Sequence, residues 1–341
     1  MSDRPEADGR ASRGTLLVTG AAGEVGGRLV PRLQRDAWRI RALVLPRDPM
    51  RGRLDGLGVE IHEGDVRDRR SLDAAVVGAT CVLHLAAVIL GTDDDVYDAV
   101  NHRGTANLVA AAADAGVVHF VYVSSASVIY PRLTPYGRSK LEAELALKRE
   151  GRLQHTIVRP TLVYDDRGGG QEFALFRRYL RRFPVVPFVG PLAGPAAARK
   201  RPVHADDVVE GLARIVGNPA CYGRAYNLSG GETISLPELG RLVLALDGTP
   251  KPLLPLPVSL CAGAARLLAR AMRRPPVTPY AVAGFTNHAD LDPGDATRDF
   301  GYTPRGVREG LTSALRPTPA STGTPPPSSV PSQESHLRRS P

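Results

Sequence analysis

Cysteine is scarce in this chain. Cys81, Cys221 and Cys261 stand far apart and in no metal-ligand spacing, which excludes a disulfide framework and a cysteine-built zinc site as organising features. Eight histidines are scattered along the sequence and form no cluster with them. Long hydrophobic runs are missing as well. No apolar stretch reaches the roughly 20 residues that a membrane-spanning helix needs, and residues 1–14 are polar and charged, without the apolar segment of an export leader. These absences give the expectation of a reduced, cytoplasmic protein without a metal. The acidic triplet Asp93-Asp94-Asp95 does not change that expectation, because acids placed just before a helix complement its dipole.

Basic charge, by contrast, is abundant. The net charge is +9 over 341 residues, and much of it is grouped: Arg177, Arg178, Arg181 and Arg182; Arg199, Lys200 and Arg201; Arg266, Arg270, Arg273 and Arg274. Such groups read either as solvated helix faces or as contacts to a phosphate-bearing substrate or a membrane surface. No nucleic-acid partner is expected.

Apolar patterning sets the fold class. Short β-branched runs at residues 16–19, 40–45, 59–62, 82–86, 119–124 and 156–159 alternate with helix-length patterns at 24–36, 96–115 and 136–150. That rhythm predicts an α/β protein with a Rossmann-type, doubly wound parallel sheet, whose strands read as continuous apolar runs because both faces are covered. Beyond residue 159 the rhythm loosens, with helical patterns near 172–183, 206–216 and 236–246 among prolines and glycines. The expected organisation is a disordered start (1–14), a dinucleotide-binding core (mainly 15–160), a smaller substrate lobe interleaved with it (mainly 161–316) and a Pro- and Ser-rich disordered tail (317–341).

Two groups of residues carry chemistry. The first is Gly20-Ala21-Ala22-Gly23-Glu24-Val25-Gly26, between a buried strand and a helix start. Glycines there permit the tight turn and let the backbone approach a pyrophosphate, to which the helix start offers unpaired N–H groups. The second is Tyr136-Gly137-Arg138-Ser139-Lys140 at the head of a helix, where i,i+4 spacing puts phenol and ammonium on one face. An adjacent ammonium favours the phenolate, so Tyr136 can exchange a proton with a substrate hydroxyl. No nucleophile–base set competes with it.

The spacing Gly20-x-x-Gly23-x-x-Gly26 resembles the glycine turn of the extended short-chain dehydrogenase/reductases of the NAD-dependent epimerase/dehydratase kind. The resemblance continues in order through Gly64-Asp65-Val66-Arg67-Asp68, His84-Leu85-Ala86-Ala87, Asn101 with Gly104-Thr105-Ala106-Asn107, Ser124-Ser125-Ala126-Ser127-Val128, Tyr136 to Lys140, Arg159-Pro160-Thr161, Arg201 to Asp207, Tyr226 to Gly231 and Gly301-Tyr302-Thr303-Pro304. It implies catalysis by Ser125, Tyr136 and Lys140, with Ser124 or Ser127 as substitutes for Ser125 if the register shifts. It also implies cofactor contacts from Gly20, Gly23, Glu24, Val25, Gly26, Asp65, Val66, Leu85, Ala86, Ala87, Asn101, Pro160 and the Tyr136/Lys140 pair. The cofactor is NAD(P). Arg47 stands near the end of the second strand, where an acid would select NAD, and leans the expectation towards NADP, although Asp48 follows it.

Substrate contacts are expected from Ser127, Thr161, Lys200 and Arg201. Relatives acting on nucleotide sugars place Asn where this chain has Thr161, and only residues 129–135 separate the Ser-rich strand end from Tyr136. The stretch from Leu253 through residues 259–274 is similar to polyprenyl-diphosphate-sugar epimerases and to the 3β-hydroxysteroid dehydrogenase group. The favoured substrate is a sugar joined to a nucleoside or polyprenyl diphosphate. Two alternatives stay open: a 3β-hydroxysteroid-type dehydrogenase or ketoreductase, and a non-catalytic NAD(P)-binding subunit or sensor. Peripheral contact with the inner face of a membrane and a homodimer complete the expectations.

Overall fold

The alternation of apolar runs and helical patterns resolves into a seven-stranded parallel sheet. In the computed structural model, which describes residues 12–91, 93–166, 170–272 and 279–315, the first six strands are β1 (Thr15–Thr19), β2 (Arg39–Val44), β3 (Glu60–Glu63), β4 (Cys81–His84), β5 (His119–Val123) and β6 (Gln154–Pro160). The expected disordered tail, most of the expected disordered start, Arg273 and Arg274 lie outside the described residues. Helices α1 (Glu24–Arg35), α2 (Arg69–Val76), α3 (Asp94–Tyr97), α4 (Thr105–Asp114) and α5 (Pro135–Glu150) connect these strands. No helix among the described residues is long and apolar enough to cross a membrane.

The remaining helices are α6 (Gln171–Arg182), α7 (Ala205–Ile215), α8 (Leu236–Leu246), α9 (Val258–Ala271), α10 (Pro279–Thr286), α11 (Gly294–Phe300) and α12 (Val307–Leu315). Among them run β7 (Val163–Tyr164), β8 (Val186–Val189), β9 (Arg199–Lys200), β10 (Val203–His204), β11 (Arg224–Leu228), β12 (Ile234–Ser235) and β13 (Leu253–Leu256).

The main sheet has the order β11-β6-β5-β4-β1-β2-β3 with every pair parallel. Its direction of winding reverses between β1 and β4, and the crevice beyond their carboxyl ends is where such sheets hold ligands. Both faces are covered. Leu29, Val30 and Leu33 of α1 pack with Val208, Leu212 and Ile215 of α7 on one side, and Leu108, Val109, Ala143 and Leu147 of α4 and α5 fill the other. Burying one such leucine contributes about 2 kcal/mol. A separate cluster built on Phe173, Leu180, Phe188, Leu239, Val243 and Leu311 forms the core of the lobe.

Core and lobe are interleaved, and one helix departs from the pattern read in the sequence. The seventh strand, β11, and the helix α7 packed on α1 both come from beyond residue 160, so the core recruits part of the second half. The continuous helix expected at 96–115 is instead broken into α3, a wider π turn over Asp98–Gly104, and α4. Gly104 closes that turn against the chain at Val66: a Cβ there would lie 2.7 Å from the valine side chain.

Candidate active site

The glycine turn is shaped by contacts that admit no side chain. Gly20 has φ +69°, and a Cβ on it would lie 2.8 Å from the Ala86 nitrogen; one on Gly26 would lie 2.3 Å from the Gly20 carbonyl oxygen. The Gly23 N–H bonds the Gly20 carbonyl at 3.0 Å, which closes the turn, and α1 starts at Glu24. Glu24, Val25 and Gly26 therefore form the helix's first turn, whose N–H groups helix geometry leaves unpaired. This cradle fits a dinucleotide pyrophosphate. The Glu24 carboxyl is held above its ordinary pKa, first by burial and then by Asp165.

Beside the turn, a buried hydrogen-bond chain fixes the end of β4. The Ala86 N–H donates to Thr19 Oγ1 (3.1 Å), and Thr19 Oγ1 lies 2.6 Å from His84 Nδ1. On the other side of the ring His84 Nε2 lies 2.8 Å from Thr105 Oγ1, which donates to the Asn101 carbonyl (2.6 Å). Each hydroxyl has one proton, so these directions assign a neutral imidazole protonated on Nε2. Burial, aided by Lys140, pushes His84 down to about 3, in agreement with that neutral form. Leu85, Ala86 and Ala87 are thereby held alongside Gly20. Asn101 is buried and serves the same wall: its side chain bonds both backbone groups of Val88 and Ser139 Oγ.

The catalytic residues expected from the sequence meet at the end of β5. Thr134 caps α5 by accepting the Gly137 N–H (3.0 Å), and Pro135 opens the helix. Gly137 is the residue that permits the approach, since a Cβ there would lie 2.8 Å from the Ser127 carbonyl oxygen. Ser127 Oγ stands 3.0 Å from Ser125 Oγ, and the Ser125 hydroxyl is near enough to the Tyr136 phenol to favour its ionised form. Burial, then Glu172, holds that phenol well above its ordinary range, and Ser125 opposes the rise. Lys140 is 1% exposed; its ammonium donates to the Val123 carbonyl (2.7 Å) and lies 4.3 Å from the centre of the Tyr122 ring. Burial lowers it to about 7, against the pull of Glu144. Glu144 is itself clamped by both arms of Arg159 (2.9 and 2.6 Å).

The adenosine side differs from expectation in detail. Arg47 is exposed and has φ +61°, and Asp48 accepts the Met50 N–H (2.8 Å). Sequence reading missed Arg53, whose guanidinium reaches back to the Ala22 carbonyl in the glycine turn (3.3 Å). The Asp65 carboxylate is gripped by Arg67, and Val66 is buried under Gly104. Pro160 ends β6 in register with Leu228.

On the substrate side three of the four expected contacts bond within the protein. The Thr161 hydroxyl donates to the Arg201 carbonyl. Lys200 is buried, and its ammonium donates to the carbonyls of Gly284 (3.1 Å) and Asn287 (2.8 Å). Arg201 is bonded to Thr233 (2.9 Å) and Asp290 (2.8 Å). Ser127 stays beside the catalytic set, and the Lys200 ammonium lies 5.7 Å from the centre of the Tyr130 ring and within reach of the Glu172 charge. Sequence reading also missed Glu172 and Tyr130. Glu172 is exposed; crowding by the surrounding protein raises its pKa, and Lys200 opposes the rise. Its charge is felt at Tyr130 and Tyr136, and the Tyr97 ring lies 6.1 Å from the Tyr136 ring.

Comparison with known proteins agrees with this geometry. Residues 17–159 match the model of the 3-beta hydroxysteroid dehydrogenase/isomerase family. A solved NAD complex of a UDP-glucose 4-epimerase from Thermus thermophilus shares the fold, with a TM-score of 0.68 at 23% identity over 88% of this chain and 97% of that one. The family match covers the part of the chain that carries the glycine turn, Tyr136 and Lys140. The chain is 33% identical to a ceramide reductase of Caulobacter vibrioides (61% of this chain, 62% of that protein), so the match spans less than two thirds of that relative. It is 29% identical to a UDP-glucose 4-epimerase of Vibrio cholerae (72% and 79%), and 29% identical to sterol demethylase protein B of Methylococcus capsulatus (88% and 97%).

Proposed function

We propose that this protein is an NAD(P)-dependent oxidoreductase that exchanges a hydride with a secondary alcohol or ketone on an apolar, lipid-like substrate. The observation that carries the reading is the meeting of Ser125, Tyr136 and Lys140 at the sheet's crevice, on a wall where Thr161, Lys200 and Arg201 are engaged within the protein. A diphosphate in that cleft would meet Glu172 and find Lys200 and Arg201 already bonded. The match to the hydroxysteroid dehydrogenase family and the likeness to a ceramide reductase and a sterol-processing protein support the same substrate class.

A bound nicotinamide dinucleotide would supply or accept the hydride. For ketone reduction, Ser125 holds the carbonyl oxygen and Tyr136 donates its proton to it; a phenol kept protonated by burial suits that direction. Lys140 would stabilise the phenolate that remains, and its N–H groups not engaged by Val123 would hold the ribose hydroxyls. NADP is the favoured cofactor, supported by Arg47 after the second strand and by Arg53 beside the glycine turn.

The experiment is incubation of the purified chain with NADPH or NADH and, separately, a long-chain ketone, a 3-ketosteroid and UDP-glucose, following cofactor absorbance and product mass. Stoichiometric cofactor oxidation with an apolar ketone is expected. Tyr136→Phe is expected to lower turnover at least about a hundredfold with cofactor affinity unchanged. The likeness to a UDP-glucose 4-epimerase favours a second reading, a sugar epimerase, and conversion of UDP-glucose alone without net cofactor consumption would establish it in place of the first.

A further inference from the structure

The positive charge of this chain is concentrated in two stretches that contain no acid. Residues 173–205 and 248–289 hold twelve of the 44 Lys and Arg residues and none of the 35 Asp and Glu, so the rest of the chain, despite the overall +9, is net acidic; Asp247 and Asp290, at the borders of the second stretch, pair with Arg177, Arg199 and Arg201. The two stretches are joined in space. β8 and β13 pair in parallel, with Val186 opposite Leu253 and Val189 opposite Leu256. At the start of this ribbon Lys251 donates to the Arg181 carbonyl at the end of α6, and at its other end Val189 packs on Ala265 of α9.

Helix α9 is apolar on two sides. Cys261, Ala262 and Ala265 pack inwards. On the opposite side Leu260, Ala264, Leu267 and Ala271 follow one another at helical spacing and are exposed, the two leucines to 62% and 67%. Leu254 and Val258 extend the exposed apolar surface to the ribbon, and Arg266 and Arg270 flank the ridge, each exposed and without a carboxylate partner among the described residues. Leaving a row of leucines in water is unfavourable, and a monomer gains nothing from it. A nucleic acid would match the charge but gives leucines nothing to enter. A bilayer with anionic headgroups answers both, because the ridge enters the acyl boundary while the arginines extend to the phosphates.

We propose that α9 and the adjoining β8–β13 ribbon form a docking surface for an anionic lipid bilayer. This surface is independent of the substrate reading, since it involves none of the residues of the catalytic cleft.

The test is co-flotation of the full chain with vesicles of pure phosphatidylcholine and with vesicles in which a third of the lipid is phosphatidylglycerol. Binding is expected to the anionic vesicles and to weaken with salt. Removing each arginine, as Arg266→Gln or Arg270→Gln, is expected to lower partitioning about fivefold, and Leu260→Ser or Leu267→Ser about tenfold each, while NADPH binding, followed by fluorescence, stays unchanged. Equal binding to both vesicle types, or none to either, would overturn the proposal. So would retention of heparin or DNA that the leucine variants do not alter, without flotation, or a concentration-dependent dimer dissolved by those variants without flotation. Loss of turnover with an intact vesicle response would count against the substrate reading alone.

Discussion

The two sides of the crevice are built in different ways. The cofactor side is made of close backbone approaches and neutral buried hydrogen bonds: Gly20 against Ala86, Gly26 against Gly20, Gly137 against Ser127, and the chain from Ala86 through His84 to Asn101. Its tolerance for change is small, since each contact excludes even a methyl group. The substrate side is made of long charged side chains paired across the lobe, such as Arg201 with Asp290 and Arg177 with Asp247. Such pairs contribute little individually where they reach solvent. The contrast teaches that cofactor chemistry is rigidly specified here, whereas substrate choice rests on surfaces that substitution can remodel.

The most severe test of that contrast is Gly26→Ala. With a Cβ placed 2.3 Å from a carbonyl oxygen, the turn must move, and a loss of about 3 kcal/mol or more in stability, together with loss of NAD(P) binding, is expected in urea denaturation and fluorescence titration. A variant that keeps both would show the cofactor side to be as adaptable as the lobe.

Lys140 offers the next test. In the folded protein it releases its proton near pH 7, whereas an exposed lysine holds it to about 10.5. Between those values the unfolded chain binds the extra proton, so Lys140 makes stability rise with pH across that window. The cofactor-free Lys140→Met variant is expected to show a flatter profile from pH 7 to 10 than the parent; parallel profiles would mean that the ammonium is not desolvated.

Smaller effects belong to the periphery. Arg53→Ala is expected to weaken NADPH about tenfold and NADH much less, and equal losses for both would remove Arg53 from the 2′-phosphate site. Arg201→Gln is expected to cost at most about 1 kcal/mol and to change the KM for an apolar ketone less than about twofold; a large rise in KM would return Arg201 to the substrate site.

What could be read in the sequence was local. The strands, the glycine turn and the Tyr136/Lys140 spacing each lie within a single element and its neighbour, where period and turn chemistry suffice, and their positions agree with the fold. Contacts that close over long separations were not legible. Nothing near Arg28 in the sequence announces Asp165 or Asp206, nor does Thr161 announce the Arg201 carbonyl. Lys200 and Arg201 look like phosphate ligands as a basic run, and only their folded surroundings show what their donors engage. Arg53 and Glu172 were missed for the same reason, since each reaches its neighbours from a separate element. The importance of Gly137 depends on how closely α5 approaches β5, which no period encodes.

The seventh strand has a consequence for how this protein can be taken apart. A fragment ending at residue 160 would leave β6 as an open edge with its backbone groups unpaired and would strip α7 from α1. The substrate half is thus not a detachable module. Exchanging it with that of a relative would require two junctions rather than one, with α7 and β11 remaining with the sheet, and a single-crossover chimera would be expected to aggregate through the exposed edge.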